Sequence, residues 1–312
     1  MNRIRIGTRG SALAMAQTTW VKCKLQERYP DLQVEVITIK TSGDRFLAAP
    51  IKAIPGKGIF VKEIEEALLR KQIDLAVHSM KDLPTEITAG LAIAAIPERE
   101  DARDVLVSAA DHALKDLPAG ARIGTGSLRR RAQILHCRPD LAVEPIRGNV
   151  DTRLRKLEHG EVEGLVMAAA GLKRLGLEKH IAEYLAEEIC LGAVAQGALA
   201  LQTRASDPAV EMVLFLRHAP TMQEVAAERA FLTRLGGGCQ LPVGARARVE
   251  DDRLRLMGVV ADPDGHKVLR EESEGSAAQG ERLGTTLAER LLALGGDRIL
   301  TAESGSAVHE AG

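Results

Sequence analysis

The residues best suited to chemistry in this sequence are arginines that gather where predicted strands give way to helices. Between Arg122 and Arg155 there are eight arginines and only three acids. Forked guanidiniums beside helix N-termini bind carboxylate or phosphate groups. A run of charge is more often a solvated helix face, and that is the alternative interpretation. The strand-end positions favour an anion site, because ligands of parallel sheets bind at the carboxyl ends of strands.

Residues 7–11 repeat this arrangement at the end of the first predicted strand. Arg9 is expected to point into the crevice at the carboxyl end of the sheet, and Ser11 is expected to cap the next helix. A helix cap needs no ligand, so Arg9 is the more functional candidate of the two.

A cation and a carboxylate, Lys81 and Asp82, follow the predicted strand at residues 74–78 and stop at Pro84. Asp82 is a candidate general acid or base, or a stabiliser of a cation. The alternative is a surface ion pair worth less than about 1 kcal/mol. A serine nucleophile is disfavoured, because Ser79 is one residue too close to Lys81 for a Ser-x-x-Lys motif. Residues 115–118 repeat Lys-Asp-Leu-Pro in a predicted surface turn, and this second copy is assigned no function.

One of the four cysteines stands apart from the others. Cys239 follows three glycines and precedes a proline turn, so an accessible thiol there is a candidate nucleophile or attachment point. Cys23, Cys137 and Cys190 lie in helix or strand patterns and are predicted to be small buried hydrophobic residues. The histidines show no metal-binding spacing, and the glycines at 56–58 and 124–126 lack the rest of a phosphate or dinucleotide loop. No metal is expected.

Composition excludes several classes of function. Lys and Arg total 42 against 43 for Asp and Glu, so a formal net charge of −1 argues against a nucleic-acid partner bound through bulk charge. With 2% aromatic residues the chain cannot form a stacking platform for single strands. It has no apolar run of about 18 residues and no signal-peptide core, which predicts no membrane span and a cytoplasmic location. Acids that compensate the arginines are expected elsewhere, as at residues 98–104 and 271–274.

Alternating strands and helices must position these residues, and short links between them predict parallel sheets. Strands are predicted at residues 3–7, 32–39, 74–78, 91–96, 104–108, 122–126, 142–147 and 164–169, and helices at 12–28, 58–71, 128–137 and 150–158. Residues 41–57 are predicted to be a long mobile loop. From residue 221 a separate α+β domain is predicted, with helices at 222–235 and about 279–294 and strands at 243–249, 254–260, 267–272 and 298–302.

Eight segments, in order along the chain, resemble the porphobilinogen deaminase (hydroxymethylbilane synthase) family. They are residues 7–11, 56–60, 78–84, 127–130, 147–149 with 152–153, 171–176, 196–198, and 237–240 with Pro242. Each segment is weak alone, but eight in order make a specific signal, and the likeness runs from about residue 3 to residue 300.

The resemblance implies an α/β protein of three domains. The first two are lobes like those of type II periplasmic binding proteins, with mixed, largely parallel sheets, and the third is a small α+β domain that carries the cofactor cysteine. Here the domains correspond to residues 1–97 plus 197–217, residues 98–196, and residues 218–312. The return of the chain to the first domain follows from the resemblance alone.

The resemblance also implies a transferase of haem, chlorophyll and cobalamin biosynthesis. Family members join four porphobilinogens head to tail into the linear tetrapyrrole hydroxymethylbilane, with release of ammonia. The chain grows on a covalent dipyrromethane cofactor, whose thioether cysteine is Cys239 by resemblance. Asp82 matches the catalytic aspartate, which stabilises the cationic azafulvene left when ammonia departs. Porphobilinogen is the expected partner, with no nucleic acid or membrane; a monomer is the default, and the product passes to a downstream tetrapyrrole-cyclising enzyme.

Binding residues of the family carry over to matching positions of this chain. Each pyrrole bears an acetate and a propionate, so bidentate guanidinium is the matching group in one cleft. The implied cofactor contacts are Ser79, Lys81, Thr125, Ser127, Arg129, Arg130, Arg153 and Gly197. The implied substrate contacts are Arg9, Ser11, Gln17, Arg147, Arg153, Arg174 and Gln196. Lys57 and Phe60 border the mobile loop, which is expected to act as a lid.

Two positions depart from the family pattern. Ala195 stands where glycine is common, so its Cβ is expected to tighten or crowd the backbone beside Gln196. Gly126 stands where a second serine is common, which removes one hydroxyl from the cofactor site. The rival hypothesis is a non-catalytic, two-lobed anion-binding module, which also fits the arginines and the sheets. The third domain with Cys239 separates the two hypotheses, because a simple binder needs no tethered thiol.

Overall fold

The computed structural model describes residues 2–45, 60–237 and 241–301 of the chain. Lys57 and Cys239 therefore lie outside the described residues, as does most of the predicted loop at 41–57. The chain forms two compact units. Unit 1 is Met1–Glu100 with Gly197–Met222, and unit 2 is Asp101–Gln196 with Gln223–Gly312.

Strands and helices alternate along most of the described chain. The strands are β1 (Arg3–Thr8), β2 (Gln33–Thr38), β3 (Leu75–Ser79), β4 (Leu91–Ala95), β5 (Asp104–Ser108), β6 (Arg122–Gly124), β7 (Ala142–Glu144), β8 (Gly164–Ala168), β9 (Glu183–Tyr184), β10 (Leu199–Arg204), β11 (Val243–Glu250), β12 (Arg253–Ala261) and β13 (Val268–Ser276). The helices are α1 (Ala12–Arg28), α2 (Ser42–Arg45), α3 (Lys62–Leu69), α4 (Leu128–Cys137), α5 (Val150–Glu158), α6 (Ala169–Arg174), α7 (Ala209–Val213), α8 (Ala219–Arg234) and α9 (Gly280–Leu291).

Unit 1 is built on a five-stranded sheet in the order β2-β1-β3-β10-β4. β1 is parallel to β2 and β3, and β10 is antiparallel to β3 and β4, so four strands run one way and β10 is reversed. The central strand β3 is buried at every residue but Ser79, typical of a strand covered on both faces. Val21 and Leu25 of α1 are buried with Ile4 and Ile6 of β1. Burying each such side chain stabilises the fold by about 1.5–3 kcal/mol.

Unit 2 holds a second five-stranded sheet and a three-stranded one. The larger sheet has the order β7-β6-β8-β5-β9, with β5 reversed against four strands of common direction. The smaller sheet is the antiparallel meander β11-β12-β13. Phe231 of α8 is fully buried, and its ring packs so close to Gly258 of β12 that a Cβ there would lie 2.8 Å from it. These sheets confirm the predicted α/β class and the mixed, largely parallel strand directions.

Several local predictions are confirmed and others are wrong. α1, α4 and α5 have the predicted bounds, and Ser11 caps α1 by accepting from the Ala14 N–H at 3.3 Å. The predicted strand at 298–302 is wrong, because the backbone is helical from 297 to 301. Ile299 and Leu300 are buried in this helix, and so short an apolar pair fits a helix as well as a strand. Of the predicted helix at 58–71, α3 begins only at Lys62, and α2 occupies the start of the predicted loop.

None of the helices in the described ranges has both the length and the apolar character needed to cross a membrane. The division into three domains and its boundaries stay a prediction.

Candidate active site

Asp82 lies on a fixed turn at the carboxyl end of β3. Residues Met80–Asp82 form one 3-10 turn, in which Leu83 N–H donates to the Met80 carbonyl at 3.2 Å. The Met80 N–H donates to the carbonyl of Ala198 at 3.0 Å, and the side chains of Met80 and Leu83 are buried. Backbone bonds and apolar packing therefore hold this turn, while Lys81 and Asp82 stay half-exposed. A carboxylate held in this way can act on a ligand proton or a developing cation.

Two of the predicted site residues in unit 1, Gln17 and Ser79, meet directly. The Gln17 Nε2 atom lies 2.9 Å from the Ser79 hydroxyl, and Gln17 is only 3% exposed. This bond joins the first turns of α1 to the residue before the Met80–Asp82 turn. Ser11 serves as the cap of α1, as the sequence predicts.

Arg9 and Phe60 also meet within unit 1. The Arg9 guanidinium carbon lies 4.1 Å from the centroid of the Phe60 ring, a cation–π contact. The same ring packs against the backbone of Gly43, where a Cβ would overlap it. Arg9 therefore has a defined place beside the aromatic residue that was predicted to border the lid.

A buried network of polar side chains, which the sequence did not predict, begins at His78 of β3. His78 Nε2 lies 3.1 Å from Gln202 Oε1, and Gln202 Nε2 donates to Glu65 Oε1 at 2.7 Å. Thr88 donates to the other oxygen of Glu65 at 2.6 Å. Because Gln202 uses its amide as the donor, its oxygen must accept, so His78 carries its proton on Nε2. In the sequence, Gln202 interrupts the apolar start of β10, but nothing beside it indicates its partners.

His78 makes stability depend on pH. Burial, helped by the charge of Arg9, lowers the pKa of His78 from 6.5 to about 4. The unfolded chain therefore binds this proton first as the pH falls, so the stabilisation is complete above about pH 6.5 and is lost as the pH approaches 4. We expect the free energy of unfolding to fall by up to about 3 kcal/mol over this interval.

Denaturant unfolding at pH 7 and pH 4.5 measures this effect. The variant His78→Gln keeps an N–H donor toward Gln202 but has nothing to protonate, and its stability is expected to change less between the two pH values. His159→Gln removes an exposed histidine as the control. An equal change with pH in the parent and in His78→Gln would show that His78 does not titrate in this way.

In unit 2 a buried aspartate gathers three of the predicted site residues. Asp104, at the start of β5, is fully buried and accepts from Arg129, Arg130 and Gln196 at 2.6, 2.7 and 2.8 Å. Burial alone would raise the pKa of Asp104, but the two guanidiniums outweigh it and hold this pKa well below its usual range. The expectation that the acids at 98–104 lie away from the arginines is therefore wrong for Asp104. In the sequence Asp104 ends a charged run and directly precedes the apolar residues 105–107, so only its position at a strand start could have been a signal.

Arg153 is a half-buried cation close to other cations. Its Nε donates to the carbonyl of Gly148 at 2.9 Å, and no carboxylate of the described residues lies within ion-pair distance of it. Burial, with the charges of Arg130 and Arg147, lowers the pKa of Arg153 to about 10, so the side chain stays protonated at neutral pH. Gly148 makes the turn possible, because its φ is +116° and a Cβ would lie 2.7 Å from Thr152. Positive charges held close together in this way favour the binding of an anion.

The turn between β6 and α4 carries two more of the predicted contacts. Thr125 is buried, and its hydroxyl accepts from the Ser127 N–H at 3.3 Å. Ser127 caps α4 by accepting from the Arg130 N–H. Gly126 is exposed, and a Cβ there would lie 3.0 Å from the Ile146 carbonyl oxygen, so a serine would crowd this turn. Arg174 lies at the C-terminal end of α6, away from this turn in sequence.

Ala195 is strained where the chain leaves unit 2. Its φ is +58°, in the left-handed region that costs a residue with a Cβ about 1–2 kcal/mol. The buried carboxylate of Glu228 compensates, since one oxygen accepts from the Ala195 N–H at 2.6 Å and the other from the Ala247 N–H at 2.8 Å. Gln196 and Gly197 follow, both buried. Ala195 therefore keeps its Cβ in a left-handed backbone conformation, and Glu228 stabilises this conformation through two backbone N–H groups.

The cysteine predictions are partly wrong. Cys190 is buried, and burial with the nearby Asp104 charge raises the pKa of its thiol to about 12. Cys23 and Cys137 are exposed, because each falls on the outer face of its helix rather than in the core. Across the described ranges, no cluster of three or more His, Cys, Asp or Glu residues could hold a metal ion.

Arginines that suit carboxylated ligands lie in unit 2, and a carboxylate on a fixed turn that suits acid–base chemistry lies in unit 1. Each feature, taken alone, is typical of the class of enzymes that act on carboxylated ligands. Comparison with known proteins identifies that class more closely. A family model described as "Porphobilinogen deaminase, dipyromethane cofactor binding domain" matches residues 4–212, and one described as "Porphobilinogen deaminase, C-terminal domain" matches residues 222–293.

Curated relatives agree with these matches. The porphobilinogen deaminase of Pelobacter propionicus is 52% identical over 299 residues, 96% of this chain and 96% of the relative. That of Geobacter sulfurreducens is 50% identical over 301 residues, 96% of this chain and 94% of the relative. Among solved structures, the methionine-binding protein MetQ matches with a TM-score of 0.45 at 12% identity, over 80% of this chain and 99% of MetQ. The chain belongs to the porphobilinogen deaminase family.

Membership confirms the resemblance seen in the sequence, and with it the enzyme class and the cofactor. The chain is a transferase of tetrapyrrole biosynthesis, and its cofactor is dipyrromethane. The rival hypothesis of a non-catalytic binding module is wrong. The roles of individual site residues, the monomer and the downstream partner stay predictions.

The side chains of unit 2 fit such a cofactor. A dipyrromethane made from porphobilinogen carries acetate and propionate groups, and carboxylates are the ligands that guanidiniums bind best. Arg153 is a half-buried guanidinium with no carboxylate partner in the described part of the chain.

Proposed function

We propose that Asp82 carries the chemistry of porphobilinogen condensation and that the arginines of unit 2 hold the carboxylates of the pyrroles. The reaction joins four porphobilinogens head to tail, releases one ammonia for each, and takes up one water that frees the product as hydroxymethylbilane. The observation that carries the binding part of this proposal is the half-buried cation Arg153, which has two other arginines close by and no carboxylate among the described residues. An anionic ligand would remove this uncompensated positive charge.

The dipyrromethane would be attached to Cys239 through a thioether. The cofactor contacts carried over from the family would hold it, namely Ser79, Lys81, Thr125, Ser127, Arg129, Arg130, Arg153 and Gly197. When bound, the cofactor supplies the pyrrole carbon to which the first porphobilinogen is joined. Arg9, Ser11, Gln17, Arg147, Arg174 and Gln196, again with Arg153, would bind the incoming substrate. Lys57 and Phe60 would border the lid, and Phe60 contacts Arg9.

Asp82 has two roles in this proposal: it stabilises a positive charge on the substrate, and it accepts a proton. When ammonia leaves the aminomethyl group of porphobilinogen, positive charge develops on the substrate, and the Asp82 carboxylate stabilises it. After the new carbon–carbon bond forms, the attacked ring must lose a proton, and the same carboxylate can accept or pass it on. The hydrogen bonds of the Met80–Asp82 turn hold the carboxylate in place without using its oxygens.

We also propose the three-domain division with its boundaries at 97/98, 196/197 and 217/218. A monomer, a cytoplasmic location and delivery of the product to a tetrapyrrole-cyclising enzyme complete the proposal.

Arg153→Gln tests the binding assignment. Loss of a charge-assisted carboxylate contact of about 1.5–3 kcal/mol corresponds to a roughly 10- to 150-fold higher KM for porphobilinogen, with a smaller change in kcat. Steady-state assay of porphobilinogen consumption and ammonia release measures both constants. Arg155→Gln is the matched control, since Arg155 lies on the same helix, is exposed and faces Asp151 at 3.7 Å. If KM stays unchanged in Arg153→Gln, Arg153 binds no substrate carboxylate.

A further inference from the structure

The carboxylate of Asp104 is saturated with donors from the binding residues around it. Its Oδ1 accepts from Arg130 Nη2 at 2.7 Å, Arg130 Nε at 3.0 Å and Gln196 Nε2 at 2.8 Å. Its Oδ2 accepts from Arg129 Nη1 at 2.6 Å and lies 3.3 Å from the Cys190 thiol. The side chain is fully buried, so water does not supply these bonds.

The charges do not cancel in this cluster. Two guanidiniums share one carboxylate, and no other carboxylate of the described chain forms an ion pair with Arg129 or Arg130. One positive charge remains, and Arg153 lies close enough to Arg130 for the two charges to repel each other. Asp104 therefore fixes the direction of two arginines without making the site neutral.

The two arginines differ in how many of their guanidinium nitrogens bind protein atoms. Arg130 places Nε and Nη2 on Asp104 and Nη1 on the Val166 carbonyl at 3.2 Å, so most of its donors face protein. Arg129 reaches Asp104, the Leu191 carbonyl and Cys190 through Nη1 alone. Within the described residues nothing accepts from its Nε or Nη2, which together form the edge of a guanidinium that pairs with a carboxylate.

We propose that Asp104 is a positioning residue for ligand binding: it holds Arg130 and orients Arg129 so that the Nε/Nη2 edge of Arg129 remains for a carboxylate of the bound pyrroles. This inference rests on the function proposed above. Asp104 itself is not a ligand contact and acts through the two arginines.

Unit 1 supplies a matched control for the same chemistry. Asp74 is also buried and is also bound by two arginines, Arg5 Nη2 at 2.8 Å and Arg204 Nη2 at 3.1 Å. It lies at the start of β3, whereas the Met80–Asp82 turn follows the end of that strand. Removing its charge breaks a comparable buried cluster that has no predicted ligand.

The experiment compares Asp104→Asn with Asp74→Asn in the purified holoenzyme. Both variants are expected to unfold at lower temperature, because each removes the charge of a buried carboxylate that two arginines share. Only Asp104→Asn is expected to raise the KM for porphobilinogen, by about tenfold or more, and to lower the fraction of chains that carry the cofactor mass. Intact-protein mass and steady-state kinetics, both referred to folded protein, give the two readouts.

Asp104→Glu keeps the charge and shifts the carboxylate by one methylene, so it tests positioning even if Asp104→Asn does not fold. We expect its KM to rise several-fold with kcat changed less. A parental KM and parental cofactor load in Asp104→Glu, or an Asp104→Asn variant that behaves like Asp74→Asn, would overturn the positioning role. If the parent itself carries no cofactor and consumes no porphobilinogen, the proposed function fails instead, so the two failures are distinct.

Discussion

Replacing Asp82 with asparagine is expected to lower kcat by about 10²- to 10⁴-fold while the chain keeps its covalent cofactor. The amide is nearly the same size as the carboxylate, so the turn should persist. Its backbone bonds, from Met80 to Ala198 and from Leu83 to Met80, do not involve the Asp82 side chain. What is lost is the negative charge that stabilises the cationic substrate and accepts its proton. Steady-state kinetics with intact-mass analysis of the same sample measures both effects.

The sequence contains a control for this substitution. Lys115-Asp116-Leu117-Pro118 repeats the residues around Asp82, and Leu114–Asp116 forms the same kind of 3-10 turn as Met80–Asp82. Asp116 is exposed and lies in unit 2. Asp116→Asn should therefore leave kcat and KM unchanged. A kcat for Asp82→Asn within a few-fold of the parent would remove Asp82 from the catalytic role, whatever its place on the turn.

The second large effect is expected at Cys239. Cys239→Ser should carry no dipyrromethane and should consume porphobilinogen only at background rate, because a serine hydroxyl forms no thioether. The other cysteines are poor alternatives. The Cys190 thiol is buried with a pKa raised to about 12, so little of the reactive thiolate forms at neutral pH.

Cys23→Ser and Cys137→Ser are the matched controls, since both residues are exposed. Each variant should keep the cofactor mass and the parental rate. An adduct that survives in Cys239→Ser and disappears in one of these two would move the attachment point to that cysteine.

Local features of this fold could be predicted from the sequence because neighbouring residues determine them. The cap at Ser11, the bounds of α4 and the placement of Asp82 after β3 all follow from short-range patterns of polar and apolar residues. The direction of most strands follows from the short strand–helix links.

Long-range partnerships could not be predicted in this way. Asp104 precedes Arg129 by 25 residues, and in the sequence it looks like the end of a charged run rather than the centre of an arginine cluster. His78 and Gln202 are 124 residues apart and meet only because β10 inserts, reversed, between β3 and β4. Nothing in the local pattern of either residue indicates that pairing.

Overall charge was similarly uninformative. A net charge of −1 argues against a partner held by bulk charge, yet it conceals how the arginines are paired. Asp104 holds two of them, and Arg153 stands without a carboxylate among the described residues. The distribution of the acids therefore determines which arginines can bind a ligand.

The mass of the intact, purified chain tests the central claim most directly. We predict an active protein heavier than its amino-acid sequence by two pyrrole rings derived from porphobilinogen, with the added mass on Cys239. An active protein whose mass equals that of the unmodified sequence would contradict it.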